Sequence, residues 1–543
     1  MRSEDSHWQI PGIVPLIIFC LILGLIFRVS YLDRKVFWVD EVATVLRAAG
    51  YTKQEVTAAL ATGALHTPED LLRYQQLTPE RSLPDAIAAF QTSPEHAPLY
   101  FLLIRGWMQI WGSSVIAIRS FSVLCSLLVL PGIYWLSRLL FDHKGAAWLP
   151  VGLMAISPIF IAYAQEARPY SLWVLLLVLS GATLLRAMRH NAIGNWALYG
   201  LMLSLSFYTS LLSLLVAAGQ GLYVAATEKF RFSQRTRRFS MILAAALIAL
   251  LPWIWLAAQS WQTIRSNTTW MRLPLSSFAK ATIWFYSAAI LYFDVPVITE
   301  PWLTAAVEIT VASGVVAVLL YAFYKLRQQS RQQWLFVLSL SLPVPFTLIV
   351  IDAISNGRYS TAPRYWLPFH LGAQLAVAYL ISNRLSHQHQ RWKWQSITVF
   401  LVGLCVLSNS IQFNNSPRYL KSRSLHNLPI AEIINRTDQP LVLSEAENTI
   451  DLLSLSHVLN NNVQLRILPT PQLIQQLANN FTEASLLTTE PLHGSEVFLF
   501  NPSADLQQQV SRTCAQFQPA YSPSLLMGEL ALSLWQLKLS HSC

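Results

Sequence analysis

The chain has 543 residues, of which 53% are hydrophobic and 12% are charged, whereas an average soluble protein carries about 25% charged residues. A soluble domain cannot hide this much apolar surface, because a single hydrophobic core stops growing at a few hundred residues. The net charge of +10 does not indicate nucleic-acid binding, since the basic residues lie mostly in short runs between apolar windows. Composition therefore predicts an α-helical polytopic membrane protein.

Apolar windows long enough, or nearly long enough, to cross roughly 30 Å of hydrocarbon recur along the chain. They lie at about 10–31, 120–141, 146–163, 170–188, 196–209, 211–226, 239–258, 303–324, 333–351, 365–383 and 396–411. The first is interpreted as a retained span, because its apolar core is longer than that of a signal peptide. The fifth and sixth are interpreted as two short spans, because one span would place the basic loop at 229–238 outside.

Basic connections between the windows predict the orientation of the chain. If the N-terminus is cytoplasmic, every such connection falls on the cytoplasmic side, as the positive-inside rule expects: 142–144, 186–190, 228–238, 325–331 and 384–393. The same count places these segments outside: 32–119, 163–169, 259–302, 352–364 and the chain after about 411. We therefore expect an integral membrane protein with a cytoplasmic N-terminus and with its C-terminal part on the extracytoplasmic side.

Two domains are predicted. Residues 1–411 form a transmembrane domain with a first extracytoplasmic loop at 32–119. Residues 412–543 form a small extracytoplasmic α/β domain, because charged residues return and short apolar runs alternate with helix-like stretches there. Within the transmembrane domain, aromatic-rich stretches at 98–112 and 276–293 are typical of helices that lie in the membrane interface.

The five cysteines fall into two groups. Cys20, Cys125 and Cys405 lie in apolar windows and are expected to be packing residues. Cys514 and Cys543 lie near the C-terminus and could form a disulfide if that region is extracytoplasmic.

The first candidate motif is the pair Asp40 and Glu41, a few residues after the first window. Two adjacent carboxylates at a membrane surface are costly unless they are solvated, paired or used. One could act as a general base toward an acceptor hydroxyl, or both could hold a divalent cation. The alternative is the solvated start of an interfacial helix.

The second and third motifs carry cationic groups. Glu166, Arg168 and Tyr170 lie in a short segment between two windows, where Arg168 could grip a phosphate with its fork of donors. The alternative is an interfacial anchor with a local Glu166–Arg168 pair. Arg358 and Arg364 oppose the positive-inside trend, which favours either an anionic headgroup or snorkelling to lipid phosphates.

The three motifs lie on one predicted face of the membrane. A carboxylate pair, cationic groups and aromatic interfacial helices suit a substrate that has a lipid tail, an anionic phosphate and a polar cargo. His96 and Tyr100, at the start of the aromatic stretch 98–112, are candidates for acceptor contact or for a structural role.

These residues also resemble a known group. The Asp-Glu pair after the first window, His-x-Pro-Leu-Tyr at 96–100 with a following Trp-Gly and Arg119, Glu-Ala-Arg-Pro-Tyr at 166–170, and Arg-Tyr at 364–365 are similar to motifs of the GT-C superfamily. Within it, the resemblance is to bacterial members of the dolichyl-phosphate-mannose–protein mannosyltransferase family and to their lipid A aminoarabinose transferase relatives. It covers about residues 10 to 384.

The resemblance implies a GT-C fold and a polyprenyl-phosphate-linked sugar donor. It implies sugar transfer on the periplasmic or lumenal face, usually with inversion at the anomeric carbon, to a protein, lipid or glycan acceptor. Asp40 matches the candidate catalytic base, and Glu41 matches its neighbour. Arg168 and Tyr170 match the motif near the donor phosphate. Arg364 and Tyr365 match a late Arg-Tyr that is also expected at the donor.

The chain departs from the family pattern in two places. The family often has His-Pro-Pro-Leu where this chain has His96, Ala97, Pro98 and Leu99, and it often has a His-containing turn where this chain has Tyr208 to Leu211. Two other classes of function stay open. One is a lipid or solute transporter or flippase, and the other is a non-catalytic assembly protein that uses the C-terminal domain.

Overall fold

The structure is a computed structural model that describes residues 13–141, 145–295, 302–386, 391–414, 423–469, 496–510, 515–523 and 531–539. Cys514, Cys543 and the basic connection at 142–144 lie outside the described residues.

Helices dominate the described chain. In chain order they are α1 (Ile13–Val29), α2 (Val39–Ala49), α3 (Lys53–Leu60), α4 (Pro68–Leu72), α5 (Leu83–Gln91), α6 (Leu99–Trp111), α7 (Val115–Leu140), α8 (Gly145–Ile156), α9 (Pro158–Ala164), α10 (Tyr170–His190), α11 (Ile193–Phe207), α12 (Ser213–Thr227), α13 (Gln234–Gln259), α14 (Trp261–Asn267), α15 (Ser277–Ala289), α16 (Trp302–Leu326), α17 (Arg331–Ser341), α18 (Pro343–Ser355), α19 (Leu367–Ser386), α20 (Arg391–Asn414), α21 (Asn427–Asn435), α22 (Thr449–Leu455) and α23 (Ala504–Val510).

Each predicted apolar window coincides with one helix or with a bent helix pair. Among the described residues, five helices are long and apolar enough to span a membrane, namely α7, α10, α13, α16 and α20. Two bent pairs also qualify: α8 and α9 meet at 62°, and α17 and α18 meet at 48°. A proline is the first residue of the second helix in each pair. Because proline has no N–H, it cannot make the backbone hydrogen bond that would continue the first helix. The prediction of a polytopic helical membrane protein is confirmed.

The stretch that was divided into two short spans does contain two helices. The α11 helix ends at Phe207 and α12 begins at Ser213, so the chain turns between them as predicted. The three cysteines of the apolar windows are buried. The aromatic stretches at 98–112 and 276–293 contain the helices α6 and α15.

Contacts divide the chain into two compact units. The first, here called the helical unit, comprises Met1–Leu32, Phe90–Leu103 and Ile116–Asn415. The second, here called the mixed unit, comprises Asp33–Ala89, Ile104–Val115 and Ser416–Cys543. The mixed unit therefore contains most of the predicted first loop together with the C-terminal residues.

Close backbone packing in the helical unit depends on two glycines. A Cβ atom at Gly24 of α1 would clash with the carbonyl of Ala155 in α8, and one at Gly219 of α12 would clash with the carbonyl of Ser339 in α17. Any larger residue at these two positions would push the helix pairs apart.

A six-stranded sheet forms the centre of the mixed unit. The strands are β1 (Leu65–His66), β2 (Leu441–Glu445), β3 (Gln464–Leu468), β4 (Val497–Phe500), β5 (Ala515–Tyr521) and β6 (Leu534–Leu539). Their order is β1-β3-β2-β4-β6-β5, and β2 is parallel to both β3 and β4. The outer pairs β1–β3, β4–β6 and β5–β6 are antiparallel. Three apolar runs of the sequence are therefore the parallel strands β2, β3 and β4, which confirms the small C-terminal α/β region.

The sheet also takes a strand from the predicted first loop. Leu65 pairs with Arg466 and His66 with Leu465, and the amide of Gly63 donates to the carbonyl of Ile467 at 3.1 Å. Leu443, Leu468 and Leu499 meet in the core beneath the central strands. First-loop and C-terminal residues therefore share one sheet.

The folding stability of the mixed unit depends on pH through a buried acidic residue. Asp451 of α22 is buried, and Arg423 donates a hydrogen bond to its carboxylate. Burial outweighs the Arg423 charge and raises the pKa of Asp451 from 3.8 to about 6. The folded state then binds the proton more tightly than the unfolded state. Stabilisation from this group is thus complete below pH 3.8 and is lost as the pH rises through about 6.

We expect Asp451→Asn to flatten the pH dependence of thermal unfolding in this window, because asparagine does not titrate. The pKa shift corresponds to roughly 3 kcal/mol across the interval. The measurement is the melting temperature of the purified full-length protein between about pH 4 and 7. Asp438→Asn, which changes an exposed aspartate of the same unit, is the control and should keep the wild-type slope. Parallel profiles for Asp451→Asn and the wild type would contradict the assignment.

Candidate functional site

Asp40 and Glu41 lie in the first turn of α2, where the partial positive charge of the helix end stabilises carboxylates. Their environments differ. Glu41 is fully buried, and one of its carboxylate oxygens accepts the backbone N–H of Trp38 at 3.4 Å, which caps the helix. Asp40 is half-buried, and its carbonyl accepts the hydroxyl of Thr44 at 2.8 Å. The geometry thus gives the buried Glu41 carboxylate a capping contact, whereas Asp40 is only partly buried.

C-terminal residues of the mixed unit hold the segment that precedes these acids. The Ser454 hydroxyl donates to the carbonyl of Phe37 at 2.5 Å, and the amide of Val39 donates to the Ser424 hydroxyl at 3.2 Å. The ring of His457 lies 4.6 Å from the ring of Phe37. The start of α2 is therefore positioned by residues that lie nearly four hundred positions later in the chain.

The second motif forms the turn between α9 and α10 in the helical unit. Gln165 ties this turn to the end of α1, since its side-chain amide donates to the carbonyls of Phe27 at 2.6 Å and Ser30 at 3.0 Å. Glu166 and Arg168 are 1% and 3% exposed. The guanidinium of Arg168 lies 5.7 Å from the centre of the Tyr170 ring, a cation–π distance. A buried arginine is thus held beside an aromatic ring at the end of a span.

Tyr100 supports the same turn. It is fully buried, and its hydroxyl lies 2.8 Å from the hydroxyl of Ser122, which in turn donates to the carbonyl of Arg168 at 3.5 Å. His96 instead lies near the surface, with Nε2 4.0 Å from the carboxylate of Glu95. Of the two residues, Tyr100 has the clear structural contact with the second motif.

The third motif forms two short 3₁₀ turns, Tyr359–Thr361 and Pro363–Trp366. Asp352, a buried acid near the end of α18, anchors them. Its two carboxylate oxygens accept the amides of Tyr359 at 2.6 Å and Ser360 at 2.8 Å, and also the hydroxyl of Ser360. Since charge-assisted hydrogen bonds are the stronger kind, this acid determines where the motif lies.

Arg358 and Arg364 contact the same neighbouring segment. The Nε of Arg358 donates to the carbonyl of Trp270 at 2.8 Å. The guanidinium of Arg364 lies 5.4 Å from the centres of the Trp270 and Tyr365 rings. Both arginines of the third motif are therefore ordered by the loop that precedes α15.

The second and third motifs meet around one tyrosine. The hydroxyl of Tyr163, which is buried in the last turn of α9, lies close enough to Glu166, Arg364 and Asp294 to be influenced by their charges. The rings of Tyr163 and Tyr170 lie 4.9 Å apart. The helical unit thus brings Glu166, Tyr170 and Arg364 of the sequence motifs into one polar cluster.

Four residues that the motif analysis did not select complete this cluster or support it: Asp294, Asp352, Lys280 and Trp270. Asp294 accepts the Tyr286 hydroxyl at 2.6 Å and a hydrogen bond from Gln412. Burial, and after it the Asp294 charge, raises the pKa of Tyr286 above 10, so this phenol stays a donor. Lys280 is buried and donates to Asn356 at 3.4 Å. The sequence alone could have pointed to Asp352, because it is an acidic residue at the end of an apolar window.

Among the described residues, no three His, Cys, Asp or Glu side chains are arranged to hold a metal ion together. Glu41 already caps its own helix. We therefore derive no chemical step through the divalent cation that the sequence left open.

The anchoring role of Asp352 gives a testable expectation. Asp352→Ala removes the acceptors of three donors, and each unsatisfied buried donor costs about 1–3 kcal/mol. We expect a lower melting temperature and at least about a hundredfold loss of activity, because a displaced binding group loses its alignment. Ser355→Ala is the matched control, since the Ser355 hydroxyl makes one contact, to the amide of Gly357 at 3.2 Å. Equal activity losses in the two variants would refute the anchor.

Comparisons with known proteins agree with this architecture. Residues 95–256 match a family model described as dolichyl-phosphate-mannose-protein mannosyltransferase. The crystal structure of ArnT from Cupriavidus metallidurans bound to undecaprenyl phosphate matches with a TM-score of 0.50 and 11% identity over 98% of this chain and 99% of that chain. Its apo structure matches with a TM-score of 0.50 and 13% identity over 96% and 98%. No curated protein sequence matches the chain.

An archaeal structure is also similar, at a lower level. The oligosaccharyltransferase of Archaeoglobus fulgidus, tethered to an acceptor peptide, matches with a TM-score of 0.47 and 13% identity over 97% of this chain and 74% of that chain. The similarity to ArnT confirms the fold that the sequence resemblance implied, namely that of the GT-C superfamily, and the family model supports it over residues 95–256.

Proposed function

We propose that the chain is an integral-membrane glycosyltransferase that transfers a sugar from a polyprenyl-phosphate-linked donor to an acceptor hydroxyl on the extracytoplasmic face. The observation that carries the proposal is the approach of two arginines to one pair of tyrosines. Arg168 lies 5.7 Å from the Tyr170 ring, the Tyr170 ring lies 4.9 Å from that of Tyr163, and the charge of Arg364 acts on the Tyr163 hydroxyl. Two arginines suit an anionic phosphate at the end of a lipid tail. In the similar ArnT structure the bound ligand is undecaprenyl phosphate, a molecule of this class.

In the proposed reaction, the acceptor oxygen attacks the anomeric carbon of the sugar. Asp40 takes the hydroxyl proton as the new carbon–oxygen bond forms. The bond between the anomeric carbon and the phosphate oxygen breaks, and its electron pair leaves with the polyprenyl phosphate. Arg168 and Arg364 stabilise the growing negative charge on that phosphate. Because phosphate is a good leaving group, the step needs no strong general acid.

The remaining motif residues have supporting roles in this proposal. Arg358 orders the third motif through Trp270, and Tyr365 and Tyr170 hold the guanidinium groups of their neighbours. Tyr100 positions the turn that carries Arg168 through Ser122. Glu41 keeps the N-terminus of α2 in place for Asp40. His96 has no assigned step.

The protein is proposed to act at the periplasmic side of a bacterial inner membrane, with the N-terminus in the cytoplasm. The basic connections support this orientation, since all of those predicted from the sequence fall on one side. A polyprenyl-phosphate donor fits that side, where cytoplasmic nucleotide sugars are not supplied. The acceptor is a protein, a lipid or a glycan that carries a free hydroxyl.

The decisive experiment supplies purified protein in liposomes with a panel of polyprenyl-phosphate sugars and, separately, with the matching nucleotide sugars. Mass spectrometry then detects the glycosylated product and free polyprenyl phosphate. We expect product from at least one lipid-linked donor and none from the nucleotide sugars. Transfer from a nucleotide sugar would contradict the donor class. Movement of the lipid across the bilayer without any transfer would favour the flippase alternative.

A further inference from the structure

A polar cavity lies in the helical unit, where several helices end in basic connections. Its volume is about 290 Å³. It is lined by the ends of α7, α10 and α12 and by the beginnings of α13 and α17. A water needs roughly 10–15 Å³ measured in this way, so the cavity has room for a group many times larger.

Cations and neutral donors line this cavity. Arg189 and Arg235 provide the charge, and Tyr223, Ser330, Gln332 and Gln333 provide polar groups. None of the described lining residues is acidic. The nearest carboxylate partner is Glu228, which pairs with Arg235 at 3.1 Å. One carboxylate therefore offsets part of the charge of two guanidinium groups.

The surrounding contacts orient these donors. Arg189 donates to the carbonyl of Leu139 and Gln333 to that of Leu140 at 3.1 Å, so the end of α7 is already capped. The cavity also receives the N-terminus of α17, an 11-residue helix whose end carries a partial positive charge. Ser330, the N-cap of α17, makes no side-chain capping bond. The helix end and the arginines favour the same kind of ligand, an anion.

An exposed aromatic turn adjoins the cavity between α12 and α13. In this turn basic and aromatic residues alternate, in the order Lys229, Phe230, Arg231 and Phe232. The side chains of Phe230 and Phe232 are 73% and 83% exposed. Lys229 and Phe230 both have a positive φ, at 54° and 57°, which is costly for residues with side chains. Basic residues that alternate with exposed phenylalanines are typical of a segment that contacts lipid.

We propose that this cavity binds the phosphate headgroup of an anionic phospholipid, with Arg189 and Arg235 on the phosphate and Phe230 and Phe232 against the acyl chains. Basic pockets between membrane helices bind such headgroups by the same chemistry. The site is separate from the cluster around Tyr163, and it shares no residue with it. A lipid there would anchor the basic ends of α10, α12, α13 and α17 to the membrane.

The test measures lipid binding to the purified full-length protein by native mass spectrometry. The ligands are phosphatidylglycerol, phosphatidylcholine and soluble glycerol phosphate. We expect the wild type to bind phosphatidylglycerol at least about tenfold more tightly than phosphatidylcholine, since each nearby cation favours an anionic lipid. The double variant Arg189→Gln with Arg235→Gln is expected to lose this preference.

Matched variants separate the site from general surface charge. Arg237→Gln removes an exposed arginine of α13 that does not line the cavity, and it should bind as the wild type does. Phe230→Ser with Phe232→Ser keeps every cation and should weaken phosphatidylglycerol binding several-fold.

Three outcomes would overturn the proposal. Equal binding of the two phospholipids would exclude a charge-selective site. An equal loss in Arg237→Gln and in the double arginine variant would indicate diffuse surface charge. Glycerol phosphate that binds as tightly as phosphatidylglycerol would indicate a soluble ligand. Because the readout is binding, it does not depend on the proposed sugar transfer.

Discussion

Asp40→Asn is expected to abolish sugar transfer while the protein stays folded. A general base contributes about 10²- to 10⁴-fold to a rate, and asparagine cannot take the acceptor proton. The change is nearly isosteric. Its cost to stability is that of one charge at a helix N-terminus, about 0.3–1 kcal/mol. The measurement is the initial rate of transfer from a polyprenyl-phosphate sugar, together with the melting temperature in detergent.

Glu41→Gln is the matched control for that experiment. The glutamine carbonyl can still accept the N–H of Trp38, so the cap on α2 survives. We expect this variant to keep most of its transfer activity, because Glu41 is buried in a structural role. Near-normal turnover in Asp40→Asn would refute the assignment of the base. Equal losses in both variants would show that the two acids act together.

The position of Asp40 changes how a truncation experiment must be interpreted. Removing the C-terminal residues would remove Ser424 and Ser454, which hold the backbone on either side of Trp38. Such a truncation would lose activity whether the C-terminal region is catalytic or only supportive. Ser424→Ala and Ser454→Ala are milder changes, since each removes one hydrogen bond worth about 1 kcal/mol.

Arg28→Met is expected to cause a large loss of stability. Arg28 is 1% exposed in the helical unit and lies in α1. Its guanidinium donates to the carbonyl of Met154 at 3.1 Å, to the carbonyl of Ala155, and to the hydroxyl of Ser126 at 2.9 Å. Methionine fills similar volume but donates no hydrogen bond.

The structure needs the Arg28 donor because of the proline that begins α9. Pro158 has no N–H to bond the carbonyl of Met154, four residues earlier, so that carbonyl needs another donor. In lipid no water can supply one. Arg28 supplies it, and with it stabilises the 62° bend between α8 and α9. The second motif follows directly after that bend.

The expected cost of Arg28→Met is about 2–6 kcal/mol, because the carbonyls of Met154 and Ala155 lose this donor and each unsatisfied buried polar group costs about 1–3 kcal/mol. Yield of monodisperse protein and the melting temperature in detergent measure it. Ser126→Ala removes one of the partners and should cost about 1 kcal/mol. A melting temperature of Arg28→Met equal to that of Ser126→Ala would show that the arginine is not the donor on which the bend depends.

Hydropathy alone located the apolar helices of this protein. Each apolar window became a helix or a bent helix pair, because lipid requires a segment to satisfy its backbone groups within itself. The ambiguous stretch around Tyr208 does contain two helices, as the charge of the next loop led us to expect. Strands β2, β3 and β4 were visible for a similar reason, because buried parallel strands appear as continuous apolar runs.

Tertiary structure decided what the polar residues do. The sequence presents two adjacent acids, and only the fold shows that Glu41 is a buried helix cap while Asp40 is partly buried. Strand β1 has only two residues, and its partner β3 lies far along the chain, so no local pattern could reveal it.

The same limit applies to the cluster around Tyr163 and to Arg28. A hydrogen-bond partner, or an aromatic ring beneath a guanidinium, is chosen by contacts between distant segments. Apolar length is a sum over neighbouring residues and can be read from the sequence alone. The environment of each charge depends on which segments meet, and that is determined only when the chain has folded.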